Sequence, residues 1–267
     1  MKIPSFPESH HPLVKELFHH SDQDLLTLFQ RHPEAGRYFV AIFCRYSPIV
    51  YTLIGHSARS PVQADYLFAI TWRHIYHELR GVDLREFIAP KPSVHSDEAA
   101  PPLTLQNWII NITAVCINRA QLPPVEAIHY SLAGASPPLW CYVEQGLSQI
   151  APTQRLVLVL KQTFHWSDSR IAAYLQAEGE PATPSQVQHL LEVGRRSLEV
   201  TLPEDIRAIY LNGDDGSSVT LPASDALMGD DDLDKIEGDL DEDLVALEEL
   251  KELTDAGLLP SESSGTP

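Results

Sequence analysis

One stretch in the last third of the sequence carries side chains suited to reading DNA bases. In residues 184–198, PSQVQHLLEVGRRSL, apolar or small residues recur at helical spacing, at Val187, Leu191, Gly194 and Leu198, and we expect them to face inward. The outward face then holds Ser185, Gln186, Gln188, His189, Glu192, Arg195 and Arg196. Glutamine can pair with adenine edges, and arginine with guanine or phosphate, in a groove that admits a helix. The alternative is a helical hairpin with a solvated polar face.

Histidine clusters raise the question of metal chemistry. His10, His11, His19 and His20 flank a short predicted helix, and His74 and His77 precede Glu78 in the sequence HIYHE. This order places no glutamate between two histidines one turn apart, so it lacks the zinc-hydrolase pattern. No glycine-rich phosphate loop, nucleophile elbow or catalytic triad is recognisable. We therefore expect no enzymatic activity, no metal site and no cofactor.

The charge of the chain is divided unevenly along its length. The formal net charge is −18 over 267 residues, and residues 213–267 alone contain 17 acidic and 2 basic side chains. Residues 1–212 contain 20 acidic and 17 basic side chains and are nearly balanced. This body lacks the basic excess of a simple DNA-binding protein, which weighs against the DNA interpretation.

The composition indicates a protein with a packed core that functions in the cytoplasm. Apolar residues make up 43% of the chain, enough for such a core. Residues 1–12 lack the apolar stretch of a signal peptide, and the apolar run at residues 156–160 is far shorter than a membrane span. Three isolated cysteines match neither a metal site nor a disulfide framework. We expect a reduced, cytoplasmic protein without membrane insertion.

The elements that must position the polar face are predicted to be helices, so the expected fold class is all-α. Ser21 and Asp22 are capping candidates for one helix, and Pro33 opens a longer apolar helix that we expect to kink at Pro48. Ser60, Pro61 and Gln63 form a cap, a first-turn proline and a capping box. Residues 103–120 indicate a buried helix, although their Ile and Val content leaves a strand possible.

The C-terminal part of the body has its own start and packing signals. Thr183, Pro184 and Gln186 repeat the cap, proline and capping-box signature at the start of the polar stretch. Upstream, Ala172 follows Ile171 and is small enough to let a second helix cross closely. These features favour two short helices packed against each other.

Changes in composition divide the chain into five segments. These are an N-terminal extension (1–20), a helical domain (21–120), a Pro-rich linker (121–137), a helix-turn-helix domain (138–212) and an acidic tail (213–267). The tail lacks aromatic residues, and we expect it to be largely disordered. Within it, Leu240, Leu244, Leu247 and Leu250 would share one face of an acidic amphipathic helix that forms against a partner.

Three segments, in this order, resemble the bacterial RNA polymerase sigma factors of the sigma-70 family, particularly the compact extracytoplasmic-function type. Residues 63–79, QADYLFAITWRHIYHEL, are similar to the family's A-(E/D)-D-L-x-Q-x-(V/T)-F helix, and residues 105–119, LQNWIINITAVCINR, to its F-x-x-W-L helix. Residues 151–198 are similar to its −35-binding domain. The resemblance covers roughly residues 22–198 and leaves the tail outside.

The resemblance implies a helical bundle like sigma region 2, a helix-turn-helix domain like sigma region 4, and two partners: RNA polymerase core and promoter DNA. The implied polymerase-binding residues are Asp65, Leu67, Phe68, Trp72 and Arg73. The implied contacts to the −10 element are Arg85, Phe87, Lys91, Trp108 and Arg119. Those to the −35 element are Ser185, Gln186, Gln188, His189, Arg195 and Arg196. The residues alone leave two other interpretations open. The core of the bundle could contain Leu67, Ile70, Trp72 and Ile75, and residues 82–102 could be an ordinary surface loop.

The sequence also departs from the family's pattern where the family faces DNA. Ala114 and Val115 stand where the family has an Arg-Asn pair, and Gln188 and Leu190 where it has phosphate-binding Lys and Arg. Arg170 replaces a glutamate, and the turn AEGEPATP is lengthened. These departures keep two alternatives open: a sigma-derived polymerase-binding regulator without promoter recognition, and a helical scaffold unrelated to transcription.

The acidic tail has several interpretations of its own. It is either a solubilising extension or a regulatory segment that competes with phosphates for Arg195, Arg196 and Arg207, an effect that salt would weaken. Its leucine stripe adds a third possibility, a docking helix for an adaptor or a protease, and the resemblance adds an anti-sigma factor or another regulator as a partner of the tail.

Overall fold

The computed structural model describes residues 3–87, 104–128 and 130–211, which contain α-helices and 3-10 helices and no strand. The α-helices are α1 (Pro12–Lys15), α2 (Asp22–Arg31), α3 (Arg37–Ser57), α4 (Pro61–Gly81), α5 (Leu105–Arg119), α6 (Pro137–Gln149), α7 (Pro152–Gln162), α8 (Asp168–Ala177), α9 (Pro184–Thr201) and α10 (Glu204–Tyr210). The all-α prediction is confirmed for these residues, and α5 is a helix rather than a strand. The predicted disorder of the tail, and its predicted helix, lie outside the described residues.

Side-chain caps set several helix starts where the sequence predicts them. Ser21 and Asp24 form a capping box at α2, and Thr183 and Gln186 form the predicted one at α9. At α4 the Ser60 side chain accepts a hydrogen bond from the Gln63 backbone amide, as predicted. The Gln63 side chain instead donates to the Pro123 carbonyl oxygen at 3.2 Å, which ties the later connection to α4.

Helix α3 begins at Arg37 rather than at Pro33, and its start is capped by a residue of the last described helix, α10. The Asp205 carboxylate of α10 accepts hydrogen bonds from the backbone amides of Gly36 (3.0 Å) and Arg37 (2.9 Å). A Cβ atom at Gly36 would lie 2.3 Å from Cγ1 of the fully buried Ile206, so a glycine is needed there. Because a carboxylate at a helix N-terminus is stabilising, Asp205 fixes α10 to the N-terminal bundle.

Helix α4 is the central helix of the bundle and is buried on several faces. Trp72 makes edge-to-face contacts with Phe43 (4.9 Å) and Phe39 (6.0 Å) of α3, in the geometry that aromatic pairs prefer. Other sides of α4 pack against α2, α5 and α6. Phe6 lies over Phe43 as well, so the predicted N-terminal extension forms part of this core.

The C-terminal helices cross at glycines. A Cβ atom at Gly194 of α9 would lie 3.1 Å from the side chain of Leu158 on α7. One at Gly146 of α6 would lie 2.6 Å from the Thr201 hydroxyl. Ala172 is buried as well, and at the two glycines the absence of a side chain leaves room for the side chains of Leu158 and Thr201.

All described residues belong to one compact unit. The residues assigned by sequence to two domains and a linker are therefore packed together. Ile128 and Tyr130, from the predicted linker, lie in a small apolar cluster with Tyr66, Ala69 and Trp140. These side chains bury enough apolar surface to hold the connection against α4 and α6.

Within the described ranges one helix, α3, is long and apolar enough to cross a membrane, with a mean hydropathy of 1.3 over its most apolar stretch. In the structure 61% of that stretch is buried inside the bundle. Its apolar residues pack against neighbouring helices, as in the core helix of a water-soluble protein.

Candidate nucleic-acid interface

Helices α7, α8 and α9 form a three-helix arrangement that presents α9 at the surface. Helix α8 ends in a Schellman motif, in which the Glu180 amide donates to the Leu175 carbonyl oxygen (2.9 Å) and the Gly179 amide to that of Gln176 (3.1 Å). Gly179 has a φ of +87°, a conformation that favours glycine. This motif stops α8 and starts the turn that leads to Thr183, the cap of α9.

The division of α9 into two faces is confirmed. The buried residues of the helix are Val187, Leu191, Gly194 and Leu198. All six residues predicted to contact a −35 element are exposed: Ser185, Gln186, Gln188, His189, Arg195 and Arg196. A single polar face along the helix is therefore open to a ligand.

Three of these six side chains make hydrogen bonds at the start of α9, where the Ser185 hydroxyl lies 3.1 Å from that of Thr183. The Gln186 side chain completes the capping box with Thr183. The Gln188 amide donates to Asp168 of α8 at 3.0 Å, and Lys161 of α7 donates to the other carboxylate oxygen at 2.7 Å. Hydrogen bonds from Lys161 and Gln188 lower the pKa of Asp168. Asp168 thus links all three helices and orients Gln188.

Charges of both signs lie along the outward face of α9. Arg196 pairs with Glu192 one turn earlier at 2.7 Å, and Glu199 is exposed beyond it. Two arginines and two glutamates leave the face without a net positive charge. His189 and Arg195 make no hydrogen bond to the described part of the chain, so they are the side chains most available to bases or phosphates.

A partly exposed aromatic group lies at the start of α8, and the sequence did not predict it. The Arg170 guanidinium lies 3.9 Å above the Trp166 ring, and Tyr174 packs against the same ring at 5.9 Å. Tyr174 and the nearby Phe164 are both about two-fifths exposed, at 38% and 42%. Arg170 and Tyr174 are four residues apart, the spacing that places them on one face of α8, and Trp166 precedes the cap residue Ser167.

The residues predicted for a −10 element do not form one cluster. Arg85 and Phe87 lie in the 3-10 turn after α4, with Arg85 exposed and Phe87 partly buried against the core. Trp108 and Arg119 stand near opposite ends of α5, which places them about 16 Å apart along its axis. Lys91 lies outside the described residues.

Four of the five residues predicted to bind polymerase lie in the interior. Leu67, Phe68 and Trp72 are buried in the main core, and Arg73 is 8% exposed and pairs with Glu144 of α6 at 2.6 Å. Asp65 is partly buried and accepts a hydrogen bond from the Tyr51 hydroxyl at 2.8 Å. Burial raises the pKa of Asp65. In this arrangement these residues pack the bundle, in keeping with the core interpretation that the sequence left open.

The histidines form no metal site within the part of the chain that the structure describes, where no three potential ligands cluster. His74 is 3% exposed, and neither ring nitrogen has a hydrogen-bond partner among the described residues. Burial lowers the pKa of His74 to about 4, with a further contribution from the neighbouring His77 and Arg119. The imidazole is therefore a neutral core group at physiological pH.

Comparison of the chain with protein-family models, with curated proteins and with solved structures finds no match.

Proposed function

We propose that this protein is a sigma-type transcription initiation factor, which binds RNA polymerase core and directs it to promoter DNA in the cytoplasm. The observation that carries the proposal is α9, whose apolar face is buried on α7 and whose polar face is open along its length. A helix of this kind, preceded by a short helix and a turn, is the arrangement that reads a major groove. The three sequence segments that resemble sigma factors, in the family's order, supply the rest of the support.

Within the proposal, α9 residues divide into base-reading and phosphate-binding roles. Gln188 is held by Asp168 with its amide in a fixed orientation, which favours paired hydrogen bonds to an adenine edge. Arg195 has no partner among the described residues and supplies a phosphate or guanine contact. The bundle formed by α2–α5 would make the contact to polymerase core.

Two measurements on the full-length chain test the proposal: retention on RNA polymerase core, and transcription from promoters selected from a random library. We expect core binding and at least one enriched promoter sequence. An Arg195→Ala variant is expected to weaken DNA binding about equally for all sequences and to reduce the salt slope by roughly one. A Gln188→Ala variant is expected to relax the preference at one base pair, by about 1–3 kcal/mol. Absence of core binding would overturn the proposal.

The charge balance of α9 favours a second candidate, a sigma-derived regulator that binds polymerase without reading promoters. Glu192 forms an ion pair with Arg196, and Glu199 adds a further negative charge on the face that would approach phosphates. Because neutralisation of phosphates supplies most of the nonspecific affinity for DNA, such a face would bind DNA weakly. Core binding without any selected promoter would favour this candidate over the first.

A further inference from the structure

The start of α9 brings polar groups but no formal charge to the face that is proposed to read DNA. Residues 184–189, PSQVQH, contain no Lys, Arg, Asp or Glu, and the charged residues of the helix begin at Glu192. Glu192 forms an ion pair with Arg196, so Arg195 is the cation that α9 itself offers. Because phosphate contacts supply most of the nonspecific affinity for DNA, the start of α9 needs a positive charge from a neighbouring element.

Helix α8 begins beside this uncharged stretch. Asp168, in the first turn of α8, accepts a hydrogen bond from the Gln188 side chain of α9 at 3.0 Å. Lys161 of α7 forms an ion pair with the same carboxylate at 2.7 Å, which neutralises its charge. Arg170 follows two residues later and is exposed. It therefore adds a positive charge at the end of α8 that contacts the base-reading side chain of α9.

The Arg170 guanidinium is held on an aromatic support. It lies 3.9 Å from the centroid of the Trp166 ring, and the Tyr174 ring packs edge-on against that ring at an interplanar angle of 72°. The Trp166 backbone amide donates to the Leu160 carbonyl oxygen at 3.1 Å, which ties the support to the last turn of α7. A guanidinium stacked on a ring keeps the N–H groups along its edge available for hydrogen bonds. The arginine is thus ordered before a ligand binds, which reduces the entropy lost on binding.

The backbone next to this support has an unusual conformation. His165 has a φ of +52°, in the left-handed region that residues other than glycine rarely adopt. Its neighbours Phe164 and Trp166 bring their ring centroids within 6.4 Å of each other. Because unfavourable backbone conformations are concentrated at functional sites, His165 is a second indication that this connection serves in binding.

From these contacts we infer that Arg170, supported by Trp166, binds the DNA backbone and supplies the positive charge that the start of α9 lacks. The ligand is a phosphate group of duplex DNA next to the base pair that Gln188 reads. Such a contact positions the protein on the duplex and carries no sequence information. The resemblance does not imply it, since the family has a glutamate at this position. The inference rests on the DNA-reading part of the proposed function and is independent of the contact to polymerase core.

The experiment is a fluorescence anisotropy titration of the full-length protein with a labelled duplex of random sequence, between about 50 and 200 mM NaCl. The slope of the logarithm of the binding constant against the logarithm of the salt concentration counts the phosphate contacts. We expect Arg170→Ala to reduce this slope by roughly one and to weaken binding at about 100 mM NaCl by about tenfold. Combined with Arg195→Ala, the reduction in slope should be roughly two. Arg59→Ala, at an exposed position between α3 and α4, is the matched control and should change neither quantity.

Two further variants separate the charge of Arg170 from its aromatic support. Arg170→Lys should restore the slope but only part of the affinity, because an ammonium group lacks the planar fork of a guanidinium. Trp166→Leu should keep the slope and weaken binding about threefold, the equivalent of an exposed cation–π contact. Thermal denaturation of each variant checks that it is folded. Wild-type affinity in a folded Trp166→Leu variant would overturn the role of the support.

Retention on RNA polymerase core separates this inference from the proposed function. An unchanged slope in Arg170→Ala, with the expected reduction in Arg195→Ala, would overturn the inference and leave the proposed function standing. A reduced slope in Arg170→Ala without any retention of the wild type on polymerase core would support the phosphate contact and refute the proposed function. Failure of the wild type to bind duplex DNA at about 50 mM NaCl would overturn both.

Discussion

Helices α4 and α9 both resemble partner-binding helices in sequence, yet they differ in how much of their surface is exposed. In α9 the apolar residues occupy one face, and the opposite face is exposed from Ser185 to Val200. In α4 more than half of the residues are buried, including polar ones such as Arg73 and His74. An amphipathic helix at the surface can bind a partner without rearrangement, whereas a central helix must first lose a neighbour. The comparison shows that a likeness between motifs does not establish that a surface is accessible.

The largest expected effect is at the centre of α4. Trp72→Ala should lower the free energy of unfolding by about 3–5 kcal/mol, because the substitution removes a fully buried indole that contacts Phe39 and Phe43. Urea denaturation followed by far-UV circular dichroism measures the change. Trp72→Phe, which keeps a ring in the site, is the control and should cost less. A loss below 1 kcal/mol for Trp72→Ala would mean that α4 is not the central helix.

The buried imidazole of His74 makes the stability of the α4 region depend on pH. Its pKa of about 4 lies below the ordinary value of 6.5, so between these values the unfolded state binds the proton and the folded state does not. Stability is therefore lost as the pH falls from 6.5 toward 4, by about 2 kcal/mol at pH 5.

Denaturation of wild type and His74→Phe from pH 7 to pH 5 tests this dependence. The wild type should lose stability relative to the variant as the pH falls, and exposed His56 of α3, changed to Gln, provides the comparison. Parallel curves for wild type and His74→Phe would contradict the assignment of His74 as a neutral core group.

The effect at the start of α9 is smaller, since it concerns a cap. Thr183→Ala should reduce the free energy of unfolding by about 1 kcal/mol because it removes the hydroxyl that accepts from the Gln186 amide. Thr183→Ser keeps the hydroxyl and should restore most of the loss. Thermal denaturation of the three proteins side by side gives the answer, and an unchanged midpoint for Thr183→Ala would contradict the assigned cap.

The smallest effect is on the open face of α9. His189→Ala should change the free energy of unfolding by less than about 0.5 kcal/mol, because His189 is exposed and has no hydrogen bond within the described residues. Under the proposed function the same variant weakens DNA binding in a fluorescence anisotropy titration. A large loss of stability would instead show that this face packs against another part of the protein.

The sequence by itself determined the helical class, the caps at Ser21, Ser60 and Thr183, and the two faces of α9. Each depends on side chains within one or two turns of one another, so the information is local. Three-and-four spacing separates the inward from the outward residues of a surface helix without knowledge of the neighbouring helices.

Only the tertiary structure decided that α6 covers α4, and that Asp205 caps α3 across more than 160 residues of sequence. Arg73 and Tyr76 resemble surface residues by type, and their burial depends on Glu144 and Gln145, which no local pattern connects to them. The same holds at Gly36, whose need for a glycine arises from the side chain of Ile206. Such pairings depend on which helices contact each other in the folded chain. The periodicity along a single helix shows which of its faces is buried, but it does not show which other helix packs there.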